Sequence, residues 1–246
     1  SLFMQDAHRS RRSAFVRFRT FRGVILLVVL VLVLAGCRSR SRTTTPKATG
    51  IHDNRPQVWT QSNARIRKFV RVYSRNHHVR ICLGRAQDNG YVPYIHRVFY
   101  KHRLPPELVY LPLLESCFDT KADSGHARGM WQFVQGTARE YGLRVGKSFD
   151  DRLNWRKSTH SAARYLKWLG ERFNYNWELA LAGYNGGPNY LARQMKQQGT
   201  WNYWELNLRE ETYKYVPKFL AMLEVARQRY PDLYYEGGPR FWIAAR

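Results

Sequence analysis

One acid stands apart in this sequence. Glu115 closes the run 104–115, LPPELVYLPLLE, in which Leu108, Leu111 and Glu115 fall at i, i+3 and i+7. On a helix that spacing turns the carboxylate the same way as the two leucines, toward apolar surroundings. A carboxyl there is costly to ionise, so its pKa rises and it can keep a proton to donate near pH 7. The same residues also fit a plainer reading, a buried glutamate paired with one of the chain's many arginines.

The elements around this acid can be read from their punctuation. Pro105 and Pro106 suit a first helical turn, where the missing N–H is not needed. Pro112 predicts a kink or a restart just before the acid. After Phe118 the helical periodicity ends. Ser124-Gly125-His126-Ala127-Arg128-Gly129 is a loop of mostly small residues, and Met130-Trp131-Gln132-Phe133 restarts order.

The rest of the chain reads as helices. From 58 to about 85 the pattern is helical, with Ile66, Phe69, Val70 and Tyr73 on one face. Gly84 and then Asn89-Gly90 punctuate it. Residues 91–102 form a second helix, and the two elements together predict a small N-terminal helical cap. Thr137 and Glu140 stand at capping-box spacing in a short element closed by Gly142. Residues 158–173 are amphipathic, 177–184 are apolar and stopped by Asn185-Gly186-Gly187-Pro188, and 189–198 are polar and helical. Residues 201–208 read as loop. Residues 210–230 are the last long helix, kinked or restarted at Pro217. No sustained alternation marks a strand. The fold class predicted is mostly α.

Composition bounds the partners. The chain has 246 residues and a formal net charge of +23, which favours anionic partners such as anionic lipid or an acidic polymer. Beyond the N-terminus the basic residues are scattered rather than gathered in one run, which weighs against nucleic acid. Six arginines precede an apolar run over 24–35. A helix of that length spans about 18 Å, short of the roughly 30 Å hydrocarbon core, so the run has the shape of a signal h-region. It ends Leu34-Ala35-Gly36-Cys37, which resembles a bacterial lipobox and implies cleavage before Cys37 and acylation of its thiol. Arg38, in place of Asp, favours the outer membrane. Residues 38–56 are polar and basic and read as a flexible tether.

Cys82 and Cys117 remain. In an oxidising compartment they could form a disulfide, while a buried free thiol is an equal alternative for Cys117. His77-His78 could suggest a metal pair, but neighbouring helical residues point about 100° apart, so both are expected to face solvent. No metal is expected.

Taken together, the residues around Glu115 resemble the lytic transglycosylases with a lysozyme-like soluble-transglycosylase domain. Their pattern E-S-x-F, a loop Ser, then G-[LIM]-[MW]-Q matches Glu115-Ser116-Cys117-Phe118, Ser124 and Gly129-Met130-Trp131-Gln132. Ala180-Leu-Ala-Gly-Tyr184-Asn185-Gly-Gly-Pro188 resembles the segment A-x-A-A-Y-N-x-G-x. Glu211-Thr212-Tyr-Lys-Tyr215-Val216-Pro-Lys resembles E-T-x-x-Y-V-x-K. The resemblance runs over residues 60–230 or so, in the family's order.

The resemblance has specific implications. The fold would be a goose-type lysozyme-like helical domain over 104–232, following a leader over 1–37, a tether over 38–56 and a helical region over 57–103, with a tail over 233–246. Glu115 would cleave the glycosidic bond between N-acetylmuramic acid and N-acetylglucosamine in peptidoglycan, acting as acid and then base, without a cofactor. Ser124 would bind the acetamido group and Gln132 a sugar. Tyr184 and Tyr215 would orient the acid, and Asn185 and Glu211 would shape the site. Trp131 would stack on a sugar or pack in the core. The protein would be a monomer, anchored through Cys37 and facing the periplasm. One departure is clear: the step from Ser124 to Gly129 is one residue shorter than is usual, and Arg128 stands where a small residue is common. A lysozyme-type hydrolase and a non-catalytic wall-binding lipoprotein are the alternatives.

Overall fold

The computed structural model describes residues 63–234, Asn76 excepted. The expected leader, Cys37, the tether and the tail beyond Tyr234 lie outside those residues. Within them, Asn63 opens α1 (Ala64–Ser74) by accepting a hydrogen bond from the Ile66 amide at 3.0 Å. The stretch read as one helical pattern is two helices, because the chain turns after Arg75 and α2 (His78–Asp88) begins afresh. Gly84 lies inside α2 and does not end it. Gly90, at φ +62°, makes the turn into α3 (Tyr91–Lys101). In the N-terminal helical region α1 packs on the last helix, and Ile66, Val79, Leu83 and Ile95 join the core of the described residues.

Pro106 begins a 3-10 turn (Pro106–Tyr110), and Pro112 sits in the first turn of α4 (Leu111–Glu115). The restart expected at Pro112 is therefore what the chain does. Leu108, Leu111 and Leu113 are fully buried. Each such side chain contributes about 2 kcal/mol of burial, which fixes where the end of α4 must lie.

After α4 come two short strands the sequence did not announce, β1 (Ala127–Arg128) and β2 (Phe133–Val134). They are antiparallel, with Ala127 opposite Val134 and Arg128 opposite Phe133. Two residues are too few to show alternation. α5 (Gln135–Glu140) starts at Val134 with no side-chain cap, so the capping box at Thr137 is not formed; Thr137 is buried inside the helix. Gly142, at φ +88°, does end the element.

The remaining helices are α6 (Trp155–Arg172), α7 (Trp177–Gly186), α8 (Pro188–Gln198) and α9 (Glu210–Arg229). Asn154 and Asn176 cap α6 and α7. Gly187, at φ +89°, ends α7 and begins α8. α9 runs through Pro217 without a break. Proline offers no N–H to the Tyr213 carbonyl one turn back. The Tyr203 hydroxyl, 2.7 Å from that oxygen, supplies the missing donor. The architecture is mostly α, and no helix among the described residues is long and apolar enough to cross a membrane.

Candidate active site

Glu115 is the last residue of α4, and the apolar run before it carries its carboxyl to the edge of the core. The side chain is crowded by protein atoms yet keeps a partial opening to solvent. Desolvation raises its pKa from 4.5 to about 7; a hydrogen bond from Tyr215 acts the other way, and nearby Glu211 raises it again. The alternative of a buried glutamate paired with arginine is not what the fold contains. The partner is the hydroxyl of Tyr215, from α9, which donates to Oε1 of Glu115.

Two further side chains complete the surroundings. Tyr184, buried near the end of α7, donates its hydroxyl to the Trp131 carbonyl at 2.7 Å. Burial holds its phenol well above the ordinary range, with the charge of Glu115 adding to the effect. Asn185 donates to Glu211 at 3.3 Å. Its Oδ1 is buried without a hydrogen-bond partner. Asn185 thus keeps an unused buried acceptor next to Glu211. Gly186 lets α7 and α9 approach closely enough for these pairs: a Cβ there would lie 2.6 Å from Thr212 Oγ1.

The backbone after the acid is held in an uncommon shape. Cys117 and Phe118 have φ +53° and +57°, and Gln132 has φ +47°. Left-handed non-glycine residues of this kind persist where surrounding structure fixes them. Here the fixing groups can be named. Ser116 Oγ donates to the Met130 carbonyl at 2.8 Å, and the Phe118 amide donates to the Pro112 carbonyl at 3.1 Å. Arg85 donates to the Cys117 carbonyl at 3.0 Å. Cys117 is joined to Cys82 of α2 by a disulfide, which settles the pairing left open by the sequence. His77 and His78 are exposed, as expected, and His78 lies over the Cys82 sulfur.

Gln132 differs from its expected place. It is only 5% exposed, and its Nε2 donates to the carbonyls of Gly129 and Ala122. It pins the loop from inside instead of presenting its amide to a groove. Trp131 is a core residue: it is fully buried, and its Nε1 donates to Thr159 Oγ1 at 3.0 Å. Ser124 is exposed at the tip of the loop, where its Oγ accepts from the Ala127 amide at 3.1 Å.

The shortened loop is closed by the residue that looked out of place. Arg128 pairs with Asp123 at 2.7 Å and reaches Asp150 at 3.5 Å. Asp150 is also held by Arg152 at 2.7 Å, and Arg152 donates to the Phe133 carbonyl at 3.2 Å. These hydrogen bonds, chiefly that of Arg152, hold the Asp150 carboxyl below its ordinary range. Gly129 makes the contact possible: a Cβ there would lie 2.0 Å from the Arg152 carbonyl oxygen. Ser116, Asp150 and Arg152 were not singled out from the sequence. Ser116 could have been, since it sits inside the E-S-x-F pattern.

The site therefore gathers Tyr184, Asn185, Glu211 and Tyr215 around Glu115, with Ser124 on an adjoining loop and Gln132 beneath it. Residues 95–207 match the model of the transglycosylase SLT domain. The membrane-bound lytic murein transglycosylase D of Escherichia coli K12 is 35% identical over 174 residues, covering 67% of this chain and 37% of that protein. The same protein of E. coli O6:H1 matches equally. The chain thus spans little more than a third of the length of these curated relatives. A solved structure of an inactive mutant of the lytic transglycosylase Slt from Pseudomonas aeruginosa overlaps 66% of this chain and 27% of its own, at 20% identity and a TM-score of 0.46, too low to add weight. Through residues 95–207, with the acid and its loop inside them, a little under half of the chain is similar to the transglycosylase SLT domain.

Proposed function

We propose that this protein is a peptidoglycan lytic transglycosylase, cleaving the β-1,4 bond between N-acetylmuramic acid and N-acetylglucosamine with Glu115 as its single acid and base. The observation that carries this is one carboxyl, partly open to solvent, raised to about 7 and contacted by a tyrosine hydroxyl. An ordinary glycosidase needs two carboxylates, one as acid and one as nucleophile or base. The carboxyl near Glu115 is Glu211, which receives a hydrogen bond from Asn185 and in this reading stays a shaping residue.

The steps follow from proton placement. Protonated Glu115 gives its proton to the glycosidic oxygen as the bond to the muramic C1 breaks. The substrate's acetamido oxygen stabilises the cationic carbon, and the buried Asn185 Oδ1 is free to hold that group through its N–H. Glu115, now a carboxylate, takes the proton of the muramic C6 hydroxyl, and O6 closes on C1 to give a 1,6-anhydro end. No water enters, and the second step gains from being intramolecular. Tyr215 steadies the carboxylate between the two steps. Ser124, at the loop tip, shares in holding the acetamido group, and Gln132 acts by holding that loop.

The lipobox ending at Cys37 supports attachment by a lipid to the outer membrane, facing the periplasm. Digestion of purified sacculi tests the activity. The wild-type chain is expected to release muropeptides and the E115Q variant to release at least about 10²-fold less, the usual contribution of a general acid. Undiminished release by a folded E115Q variant would refute the assignment.

A further inference from the structure

Outside this site the structure holds an open cavity of about 590 Å³, lined by Asn176, Glu178, Trp201, Asn202 and Trp204 among others. It lies at the opposite end of α7 from the acid. Asn176 caps the start of that helix and Asn185 lies near its end, which separates the two places by about 14 Å along the axis.

Trp201 stands on the loop that walls this cavity. Trp201 is 67% exposed, more than any other large apolar side chain described. The loop on either side of it is hydrogen-bonded within itself. Glu205 takes hydrogen bonds from Thr200 Oγ1 at 2.7 Å and Asn202 Nδ2 at 2.9 Å. Asn202 Oδ1 accepts from the Trp204 amide at 3.0 Å. Tyr203 is tied to α9 through the carbonyls of Thr212 and Tyr213. Arg65 of α1 lies over the Trp204 ring at 4.9 Å and donates to its carbonyl. The loop's polar groups are thus spent on its own shape, while the groups facing the cavity from α7 are not. Asn176 uses only Oδ1 for capping, which leaves its Nδ2 as a donor, and Glu178 supplies an acceptor.

An exposed aromatic face beside one amide donor and one carboxylate acceptor is the chemistry that recognises a pyranose ring, through stacking of its C–H face and hydrogen bonds to its hydroxyls. We propose that the Trp201 cavity is a second glycan-binding site, separate from the acid, that holds an uncleaved part of the same polysaccharide. This rests on the glycan reading of the acid's site. Holding a strand at two places along α7 raises the local concentration of bonds at Glu115.

The test uses the full chain in the E115Q background, so that no strand is cut. Binding to purified sacculi is measured by sedimentation for E115Q, E115Q/W201A and E115Q/W168A. Trp168, exposed on α6, does not line the cavity and serves as the control. The double variant with W201A is expected to bind about tenfold more weakly, a change of about 1.4 kcal/mol, with an unchanged melting temperature; the Trp168 control is expected to match its parent. A titration with the soluble N-acetylglucosamine hexamer is expected to lose its indole fluorescence change in the W201A variant. Superimposable binding curves for E115Q and E115Q/W201A would overturn the proposal. The glycan reading is scored separately by product release from the wild-type chain, so loss of that reading and loss of the second site give different results.

Discussion

In the proposed reaction Glu115 gives a proton and then takes one back, which needs a pKa near the working pH, and burial raises it toward that range. The group keeps its proton up to about pH 7 in the folded chain but loses it near 4.5 when unfolded. Its contribution to stability is therefore full below the unfolded pKa and is lost as pH rises through 7. Ionising it in place costs about 3 kcal/mol, somewhat less with its opening to solvent. E115Q is accordingly expected to melt at the same temperature as the wild type at pH 4 and several degrees higher at pH 8; equal melting at both pH values would show that the acid is not strained. Tyr215 pulls in the opposite direction, because its hydroxyl favours the carboxylate form. Y215F should move the alkaline limb of the pH–rate profile to higher pH and slow turnover about tenfold, the size of one hydrogen bond to a charged group. An unmoved limb would mean that the hydroxyl does not touch the acid in solution.

At the scale of elements, the acid is held by the turn on its C-terminal side. Two left-handed residues, the Ser116 bond to Met130 and the Cys82–Cys117 disulfide lock the turn after α4 onto α2 and the hairpin. The disulfide closes a loop of 35 residues. Replacing both cysteines with serine is expected to cost about 3–4 kcal/mol, read from denaturant unfolding. Gly129→Ala should cost more than about 2 kcal/mol, since its Cβ would meet the Arg152 carbonyl at 2.0 Å and its φ is +77°. Much of this architecture was legible in sequence: helix ends at Gly142 and Gly187, the restart at Pro112, and the face shared by Leu108, Leu111 and Glu115. The rest was not, for physical reasons. Strands of two residues carry no period. A capping box is only a spacing, and at Thr137 the backbone begins the helix two residues earlier. Gln132 and Trp131 look like groove residues by type, but left-handed backbone at one and a buried bond to Thr159 at the other turn both inward. The cysteine pairing depends on two helices meeting, which no local pattern reports.

Over the whole molecule, the formal charge of +23 sets the range of attraction rather than the chemistry. Attraction of this kind is screened within about 10 Å at 0.1 M salt. Binding of E115Q to sacculi should therefore weaken as salt is raised, while the pH profile of the wild-type reaction stays in place; a profile that moved with salt would make the surface charge, and not burial, the cause of the raised pKa. The central claim is narrower than any of these. It is that one carboxyl both gives and recovers the proton, so that the muramic C6 oxygen and not water closes on the broken bond. Mass analysis of muropeptides released from purified sacculi by the wild-type chain tests it most directly. The account predicts 1,6-anhydromuramic ends, each lighter than a hydrolysed end by one water, and at least about 10²-fold fewer of them from E115Q. Reducing muramic ends from the wild-type chain would contradict it.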